Sequence, residues 1–577
     1  MSEQLLDDSP LVDREAAPEL DPARPLPTPE VLPVIRPIVD GERTQGTGPT
    51  LDVVDPSSGE VFARVACAGP DEIDQAAEAA ARSSALWRST PFEDRGAALR
   101  RLARLIYEQR FEIAELIARE QGKPTVEALT LEILPALDHL RFITHRAERY
   151  HAGLAVDPRH PFYAHKRAHY LYDALGVVAI VTPSPLPFTI PLVQSAAALA
   201  MGNAVLLKPS PRTPLCGLRI GELAEQAGFP AGVVNIVPAV PEDTLRLVTH
   251  PKVDKVFVTG GLEAGQHVMA AAGCTPLPVV LCLGGKHPSI VANDADVEFA
   301  ARGIVWGALA NCGQNCGSIE RVYVEERIAS KFIDRVLAEV DRLIVGESLD
   351  EGTDIGPLGS AERRQSVHRQ VSEAIANGAK LLRGGKIPDG PGFFYPPTVL
   401  LEPPHDCALL QEETLGPVIP IVVVESLERA LLLANDSKYA LCASGWTKSV
   451  EHAGRMMQGL QAGVVTINDV LYSFGEPAAT WSGYRRSGIG QNHGTPGLRE
   501  MSRQRFVSFD PQPGEAPIFA YPYDGEMSTM VKSSVEFLHA DGWFPRLAAI
   551  ARIFRSKRFR SRLSPRRVVM AKKHQVK

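Results

Sequence analysis

Short apolar runs rich in β-branched residues alternate with helical or turn-rich segments through most of this chain. The first block of runs comprises residues 177–181, 204–207, 233–237, 255–258 and 279–283. The second block comprises residues 289–291, 321–324, 394–399, 419–424 and 464–467. Strands that alternate with helices form parallel sheets whose crossover helices cover both faces. We therefore predict an α/β protein with two doubly wound lobes, preceded by amphipathic helices between residues 70 and 150.

Charge is unevenly distributed along the 577 residues. Apolar residues make up 45% of the chain and charged residues 22%, which is typical of soluble globular proteins. The net charge is −7, but the segment from Arg546 to Lys577 holds twelve basic and no acidic residues, which leaves −19 for the rest. A folded body of this charge repels nucleic acid, so we expect no nucleic-acid partner. The basic tail is a separate electrostatic element.

Neither the N-terminus nor the cysteines indicate export or a metal site. Residues 1–37 are rich in proline and acidic side chains and poor in large apolar groups, so we expect a disordered arm. Asp7, Asp8, Asp13 and Glu15 lie where a secretory signal needs a basic start and an apolar stretch. The eight cysteines include no CxxC pair and no Cys/His cluster with zinc spacing. We therefore expect a cytoplasmic protein without a bound metal.

Two glycine-rich turns are candidates for binding phosphate, because backbone N–H groups at a helix N-terminus hold anions. Gly260 and Gly261 follow an apolar run and lead to Gly265, whereas Gly488 and Gly490 lie beyond the second block of runs. Neither turn has the GxGxxG spacing of a dinucleotide-binding fingerprint. On pattern alone, a structural turn is favoured over a ligand site at both places.

A set of short segments in a fixed order carries more information than any single turn. The segments are 176–183 (GVVAIVTP), 202–210 (GNAVLLKPS), 227–235 (AGFPAGVVN), 258–260 (VTG), 283–286 (LGGK), 311–316 (NCGQNC), 412–417 (EETLGP) and 487–490 (SGIG). Together they resemble the aldehyde dehydrogenase superfamily. The resemblance extends over roughly residues 38 to 510, so only the two ends of the chain lie outside it.

The resemblance implies an aldehyde dehydrogenase-like fold of three parts. By position, these are a cofactor-binding α/β domain at 38–153 and 173–286, a catalytic α/β domain at 287–490, and a small bridging and oligomerisation sheet at 154–172 and 491–510. Because that sheet joins subunits in the family, a homodimer or tetramer is implied. Residues 511–577 form a basic C-terminal extension beyond the resemblance.

The resemblance also assigns the reacting groups. Cys316 matches the family's nucleophile, whose thiolate adds to an aldehyde carbon and then carries the acyl group as a thioester. The implied cofactor is NAD or NADP, since Pro211 replaces the acidic residue that many relatives place near the ribose 2′-hydroxyl. The positions assigned to cofactor binding are Thr182, Lys208, Ser210, Gly260, Gly261, Gly265 and Glu413.

Two catalytic positions depart from the family pattern. Pro185 stands where relatives have an asparagine that donates a hydrogen bond to the developing oxyanion, and losing one such donor costs ~10²–10³ in rate. Cys282 stands where relatives have the glutamate that activates water for thioester hydrolysis. A thiol of pKa ~8.5 is a poor substitute for that base.

These departures leave four outcomes open. The first is NAD(P)-dependent oxidation of an aldehyde through a thiohemiacetal and a thioester on Cys316, with Cys282 at the base position and slow hydrolysis. Coenzyme A could instead accept the acyl group, because a thiol acceptor needs no activating glutamate. Cys282 and Cys316 could form a regulatory disulfide. Finally, the chain could be a pseudoenzyme or a dinucleotide-binding scaffold on the same fold.

Basic and apolar residues combine in the C-terminal extension. Phe544, Leu547, Ile550 and Phe554 fall on one face of a helix predicted over 544–567, which is also rich in arginine and lysine. Such a helix can lie on an anionic membrane surface, and the alternative is a solvated basic tail. A membrane-bound tail would place the protein peripherally on the cytoplasmic membrane face and would favour long-chain aldehydes as substrates.

Overall fold

The first lobe is built on an eight-stranded sheet whose five middle strands are parallel. The computed structural model describes residues 32, 34–158, 163, 166–511 and 520–560. Across the sheet the strands are Gly488–Ile489, Val279–Leu283, Lys255–Gly260, Val177–Val181, Ala204–Lys208, Val234–Ile236, Ile38–Val39 and Glu42–Arg43. The parallel members are the five from Val279–Leu283 to Val234–Ile236.

Helices cover both faces of this sheet because successive strand residues point to opposite sides. Val178 and Ile180 pack into the apolar core on one face, whereas Val177 and Ala179 pack into the core on the other. The helices of this lobe are Pro70–Trp87, Phe92–Glu108, Arg110–Gln121, Thr125–Glu127 with the π-helical continuation Ala128–Ile133, Leu134–His151, Thr189–Ala200, Pro214–Gln226, Pro241–Val248 and Leu262–Gly273.

The second lobe has a seven-stranded sheet of the same kind. Its strands in order are Lys380–Arg383, Thr398–Leu401, Val418–Val424, Ile319–Glu325, His287–Val291, Cys442–Trp446 and Val464–Ile467. Its helices are Val297–Leu309, Glu326–Val340, Ala361–Ala376, Ala408–Gln411, Leu427–Asn435, Val450–Gly459 and Tyr472–Gly475. Only the edge strand Lys380–Arg383 is antiparallel to its neighbour. The predicted α/β fold with two doubly wound lobes is confirmed.

One central strand of the second lobe was not predicted. Cys442–Trp446 lies between His287–Val291 and Val464–Ile467 and is parallel to both. Its middle residues Ala443, Ser444 and Gly445 are small rather than β-branched. The Ser444 hydroxyl donates to Ser289 Oγ at 2.9 Å. A Cβ on Gly445 would lie 2.3 Å from Met456 Sδ. Close packing therefore requires small residues in this strand, and small residues do not match the β-branched pattern that predicts strands.

Short strands revise two predicted boundaries. Val34–Ile35 pairs in parallel with Val61–Ala66, which is antiparallel to Thr50–Val54, so the disordered arm predicted to reach residue 37 is too long at its C-terminal end. Residues 1–31 lie outside the described residues. Gly488–Ile489 pairs with Val279–Leu283, so the predicted end of the catalytic domain at residue 490 wrongly includes an edge strand of the first lobe. In both cases backbone hydrogen bonds to a distant strand decide the boundary.

The chain also forms a separate three-stranded antiparallel sheet. Its strands are Leu154–Val156, Arg167–Ala174 and Ser502–Phe509, with Arg167–Ala174 in the middle. Helix Gly494–Glu500 precedes the edge strand, on which Phe506 and Phe509 are exposed. A separate two-stranded ladder joins Tyr439–Ala440 to Tyr484–Arg485.

The C-terminal extension forms a helical hairpin. Helices Gly525–His539 and Trp543–Arg555 pack together, and a short helix Lys557–Arg560 follows. The helix predicted over 544–567 is therefore shorter: Ser556 leaves the helical conformation and donates through its hydroxyl to Glu526 Oε1 at 2.9 Å. Residues 561–567 lie outside the described part of the chain. Within that part, the longest apolar helices fall short of what a membrane crossing requires.

Candidate functional site

A cavity of about 500 Å³ lies between the two lobes. Its floor is formed by residues at the carboxyl ends of strands Val177–Val181, Ala204–Lys208 and Lys255–Gly260. Cys316 and Glu413 of the second lobe line the same cavity. Ligands of open α/β sheets bind outside the carboxyl ends of the strands, so this cavity is the candidate site.

Three of the predicted cofactor residues line the cavity next to one another. Thr182 donates its backbone N–H to the Lys208 carbonyl at 3.2 Å, and the Ser210 hydroxyl accepts from the backbone N–H of Arg212 at 3.2 Å. Burial lowers the pKa of the Lys208 ammonium to about 8, an effect partly offset by Cys67. An anionic ligand would restore the full charge of this lysine.

The glycines assigned to cofactor binding have two different roles. A Cβ on Gly260 or on Gly261, the N-cap of helix Leu262–Gly273, would meet no atom within 4 Å, and both residues line the cavity. Gly265 does not line it. A Cβ there would lie 2.5 Å from Leu283 Cδ2, so this glycine allows the helix to pack closely against strand Val279–Leu283. The contact gives Gly265 a packing role, and its assignment to cofactor binding stays a prediction.

The loop before Cys316 is held against the loop that carries Pro185. Asn311 has a left-handed backbone conformation with φ 57°. Its side-chain amide donates to the Pro185 carbonyl at 2.9 Å, and its backbone N–H donates to Glu127 Oε2 at 2.9 Å. Burial raises the pKa of the Glu127 carboxyl to about 7. This network positions Cys316 at the cavity wall.

The Cys316 thiol is half-buried. Burial and the negative charge of Glu413 together raise its pKa to about 12, although the residue's own backbone N–H opposes the shift. Glu413 accepts from the Gly285 N–H at 3.3 Å, and burial and Glu320 raise its pKa to about 7. Forming the thiolate therefore requires a further positive charge or a proton acceptor.

Cys282 also faces the cavity, from strand Val279–Leu283. Burial, together with Cys316 and Glu500, raises its pKa to about 12. Such a thiol is protonated at neutral pH and cannot accept a proton from water. All eight cysteines are free, so no disulfide joins Cys282 to Cys316 in this structure.

Pro185 lines the cavity without offering a hydrogen-bond donor. Its carbonyl is turned inward and accepts from Lys123 Nζ at 2.9 Å. Lys123 also pairs with Glu132 at 2.5 Å, and Glu132 accepts from the backbone N–H of Phe188 at 2.8 Å. The loop is therefore fixed by buried groups, and the donor that the family places here has no substitute on Pro185.

Sequence reasoning missed four cationic or titratable side chains on the cavity wall: Arg212, His267, Arg363 and His493. Arg212 directly follows the assigned segment 202–210 and Pro211, so its position was a usable signal. No motif marks the other three, because the segments that surround them match no assigned string. Among the described residues, no group of three or more His, Cys, Asp or Glu side chains is arranged to hold a metal ion.

A thiol from one lobe thus faces the open N-terminus of a helix in the other lobe across one cavity. The profile described as "Aldehyde dehydrogenase family" matches residues 43–507. The chain belongs to the aldehyde dehydrogenase family.

Individual relatives agree with this assignment. The mitochondrial aldehyde dehydrogenase of Equus caballus is 34% identical over 464 residues, which cover 80% of this chain and 91% of that protein. The NAD+ complex of an aldehyde dehydrogenase from Bacillus cereus has a TM-score of 0.79 and 30% identity, covering 83% of this chain and 97% of that one. The structure described as an Escherichia coli NADP-dependent enzyme has a TM-score of 0.78 and 30% identity, covering 82% and 98%.

Proposed function

We propose that this protein oxidises an aldehyde with NAD or NADP, using Cys316 as the nucleophile. The observation that carries the proposal is that the Cys316 thiol and the open glycine turn at Gly260 and Gly261 face one cavity from opposite lobes. The family and its NAD- and NADP-dependent members support the same chemistry.

The residues on the cavity wall fit a dinucleotide. Without side chains at Gly260 and Gly261, the N-terminus of helix Leu262–Gly273 is accessible to phosphate groups, and a side chain there would project into the cavity. Lys208 and Arg212 supply positive charge beside it, and Glu413 can accept from ribose hydroxyls. The chemistry that a bound nicotinamide supplies is acceptance of a hydride. Pro211 has no carboxylate that would repel the 2′-phosphate of NADP, so the cavity can bind NADP as well as NAD.

Cys316 has two tasks in this proposal. Its sulfur adds to the aldehyde carbon, and after oxidation it holds the acyl group as a thioester. Leu186, Ile190, Leu441, Phe474 and Trp481 form an apolar cluster against which Cys316 packs. This cluster would take the apolar part of the aldehyde and exclude water from the thioester.

Release of the acyl group is the weak step. Cys282 is a protonated thiol at neutral pH, and Pro185 has no donor for an oxyanion. Hydrolysis therefore lacks both its base and one stabilising hydrogen bond. An acyl acceptor that is itself a thiol, such as coenzyme A, needs less assistance and is the second candidate for this step.

Rapid mixing of the full-length protein with an aldehyde and NADP or NAD tests the proposal. We expect a burst of reduced cofactor equal to the concentration of active sites, followed by slow turnover. Cys316→Ser should abolish the burst, whereas Cys274→Ser, which changes an exposed cysteine away from the cavity, should leave it intact. Cys282→Glu should accelerate only the slow phase, by roughly tenfold or more.

Several outcomes of the same experiment would contradict the proposal. A burst that persists in Cys316→Ser would remove Cys316 from the chemistry. Fast linear turnover without a burst would show that another group acts as the base for thioester hydrolysis. Dinucleotide binding without any aldehyde oxidation would favour the scaffold alternative, and faster turnover with coenzyme A would favour acyl transfer over hydrolysis.

We also propose a homodimer or tetramer and a surface-bound C-terminal hairpin. Phe506 and Phe509 are exposed on the edge strand Ser502–Phe509, which supports pairing with a second subunit. Trp543 and Phe544 are exposed and stack at 3.7 Å at the start of the second hairpin helix, in a segment with a strong excess of basic residues. This combination supports binding to an anionic bilayer from the cytoplasmic side and long-chain aldehydes as substrates.

A further inference from the structure

His493 is a buried side chain of the cavity wall whose hydrogen-bonding capacity is unused. Its exposed fraction is 6%, and it lines the cavity that contains Cys316. Within the described chain, neither ring nitrogen has a hydrogen-bond partner. Buried polar groups in native proteins are almost always paired, because an unpaired one loses its hydration without compensation. This imidazole is therefore free to bond a group that enters the cavity.

The backbone holds His493 in an unfavourable conformation. Its φ is 59°, in the region that residues other than glycine rarely adopt. The Asn492 side chain accepts the His493 N–H at 3.0 Å, and the His493 carbonyl accepts from Gly497 at 2.9 Å. Two further backbone hydrogen bonds of 2.8 Å join Asn492 to Trp481. Strain that is maintained by surrounding contacts is concentrated at functional positions.

The surroundings of His493 are aromatic and apolar. Its ring centroid lies 4.5 Å from that of His139, 5.3 Å from Phe474 and 6.4 Å from Trp481. His139 and Trp481 use a ring nitrogen to bond the backbone carbonyls of Phe474 and Ser473, respectively. Phe474 and Trp481 belong to the apolar cluster that packs against Cys316. His493 thus adds an unpaired polar group next to the apolar cluster, on the wall of the cavity that Cys316 also lines.

The protonation state of His493 determines which partner it can take. Burial and the neighbouring His139 lower its pKa well below the usual value, so the imidazole is neutral at physiological pH. A neutral imidazole has one N–H donor and one nitrogen acceptor. A hydroxyl group can both donate and accept, so it matches this side chain better than an ammonium or a carboxylate does.

We propose that His493 selects aldehydes that carry a hydroxyl group on their carbon chain, by hydrogen bonding that hydroxyl while Cys316 engages the carbonyl carbon. The inference rests on the proposed function, because it names the substrate class of the same cavity. An unsubstituted alkyl aldehyde would leave the imidazole unpaired. The site should therefore prefer a hydroxyaldehyde to an unsubstituted aldehyde, because a buried site that loses its hydrogen bond loses affinity.

The test compares hexanal with 2-, 3- and 6-hydroxyhexanal, using steady-state kinetics of the full-length protein. We expect the best hydroxyhexanal to exceed hexanal in kcat/KM by about tenfold. His493→Leu should reduce that ratio to near one, mainly by raising KM for the hydroxyaldehyde. His493→Asn retains a donor and an acceptor on a smaller side chain, so it should keep part of the preference that His493→Leu loses. Leu441→Ala, on the same wall, should affect both aldehydes alike.

Three results would overturn the inference. They are a wild-type protein that does not prefer any hydroxyhexanal, a His493→Leu variant that retains the preference, and equal losses of kcat for both aldehydes. The last result would show that His493 takes part in the reaction and not in substrate selection. If no aldehyde is oxidised at all, the proposed function fails. In that case, calorimetry with hydroxyhexanoates and hexanoate in the presence of NADP decides the inference separately, because tighter binding of a hydroxyhexanoate must depend on His493.

Discussion

At the scale of single residues, burial dominates the titration of the candidate site. It raises the pKa values of Cys282 and Cys316 to about 12 alike, so their titration does not distinguish the proposed nucleophile Cys316 from its neighbour Cys282. Position distinguishes them, because Cys316 follows a loop anchored to Pro185 and Glu127, whereas Cys282 lies within a strand. Glu413 is the acidic group whose charge acts on Cys316, and its own pKa is raised to about 7.

Replacing Glu413 should change how stability depends on pH. Between about pH 4.5 and 7 the folded chain keeps a proton on Glu413 that the unfolded chain has released, so the free energy of unfolding falls as the pH rises through this window. Glu413→Gln removes that loss. We expect the variant to be ~1–2 kcal/mol more stable than the wild type at pH 8, with most of the difference gone at pH 5 and the rest lost below about pH 4.5. Urea unfolding at both pH values measures it.

The adjacent Glu412 is exposed and provides the matched control for this prediction. Glu412→Gln should unfold like the wild type at both pH values. A Glu413→Gln variant that is less stable at pH 8 would show that the ionised carboxylate contributes to folding, contrary to the expected direction.

At the scale of elements, the helix Leu262–Gly273 connects the two roles of its glycines. Its N-terminus opens onto the cavity through Gly260 and Gly261, and its first turns pack on strand Val279–Leu283 through Gly265. The same short segment thus sets both the cavity surface and the helix-to-sheet distance. An added methyl group should therefore disturb helix packing at Gly265 and ligand binding at Gly260.

Substitution of these glycines by alanine should separate binding from stability. Gly265→Ala places a methyl group 2.5 Å from Leu283 Cδ2, so it should lower the free energy of unfolding by ~1–3 kcal/mol. Gly260→Ala projects into open space and should change stability by less than ~0.5 kcal/mol. It should nevertheless weaken NAD and NADP binding, measured by calorimetry. Unchanged dinucleotide affinity in Gly260→Ala would place the phosphates elsewhere.

At the scale of the whole molecule, the basic tail opposes the charge of the body. The segment from Arg546 to Lys577 carries twelve basic and no acidic residues, against −19 for the rest. One of these charges is already paired, because Arg552 bonds Glu536 of the first hairpin helix. The hairpin core of Met527, Met530, Ala549 and Ile553 is buried, which leaves Trp543, Phe544 and Leu547 exposed.

The full-length protein should sediment with liposomes that contain anionic lipid and remain in solution with neutral ones. Each basic residue near such a surface contributes ~1 kcal/mol, and salt weakens the attraction. Phe544→Ser with Leu547→Ser should reduce binding without disturbing the hairpin core, since both side chains are exposed. A chain ending at Asp510 should not bind. Equal recovery of all three proteins in the pellet, or of none, would contradict the membrane-bound tail.

Local pattern predicted a large part of this fold and site. The strands Val177–Val181, Val279–Leu283 and Val464–Ile467 have the bounds that their β-branched runs predict, because short runs of such residues favour strands wherever the turns beside them end the run. Cys316 and Glu413 were assigned from segments whose order resembles the family, and both line the cavity.

Other features depend on residues that are far apart in sequence. The central strand Cys442–Trp446 is defined by its close packing against Met456 and its hydrogen bond to Ser289, and Gly265 is defined by its contact with Leu283. No local pattern records such contacts. The α/β class and the two lobes were therefore determined by the sequence alone, because burial and turn formation follow from neighbouring residues. The assignment of Cys316 came from the resemblance to the family and stays a prediction. Only the tertiary structure decided which side chains meet in the cavity, including the unpaired His493, because these contacts join segments hundreds of residues apart.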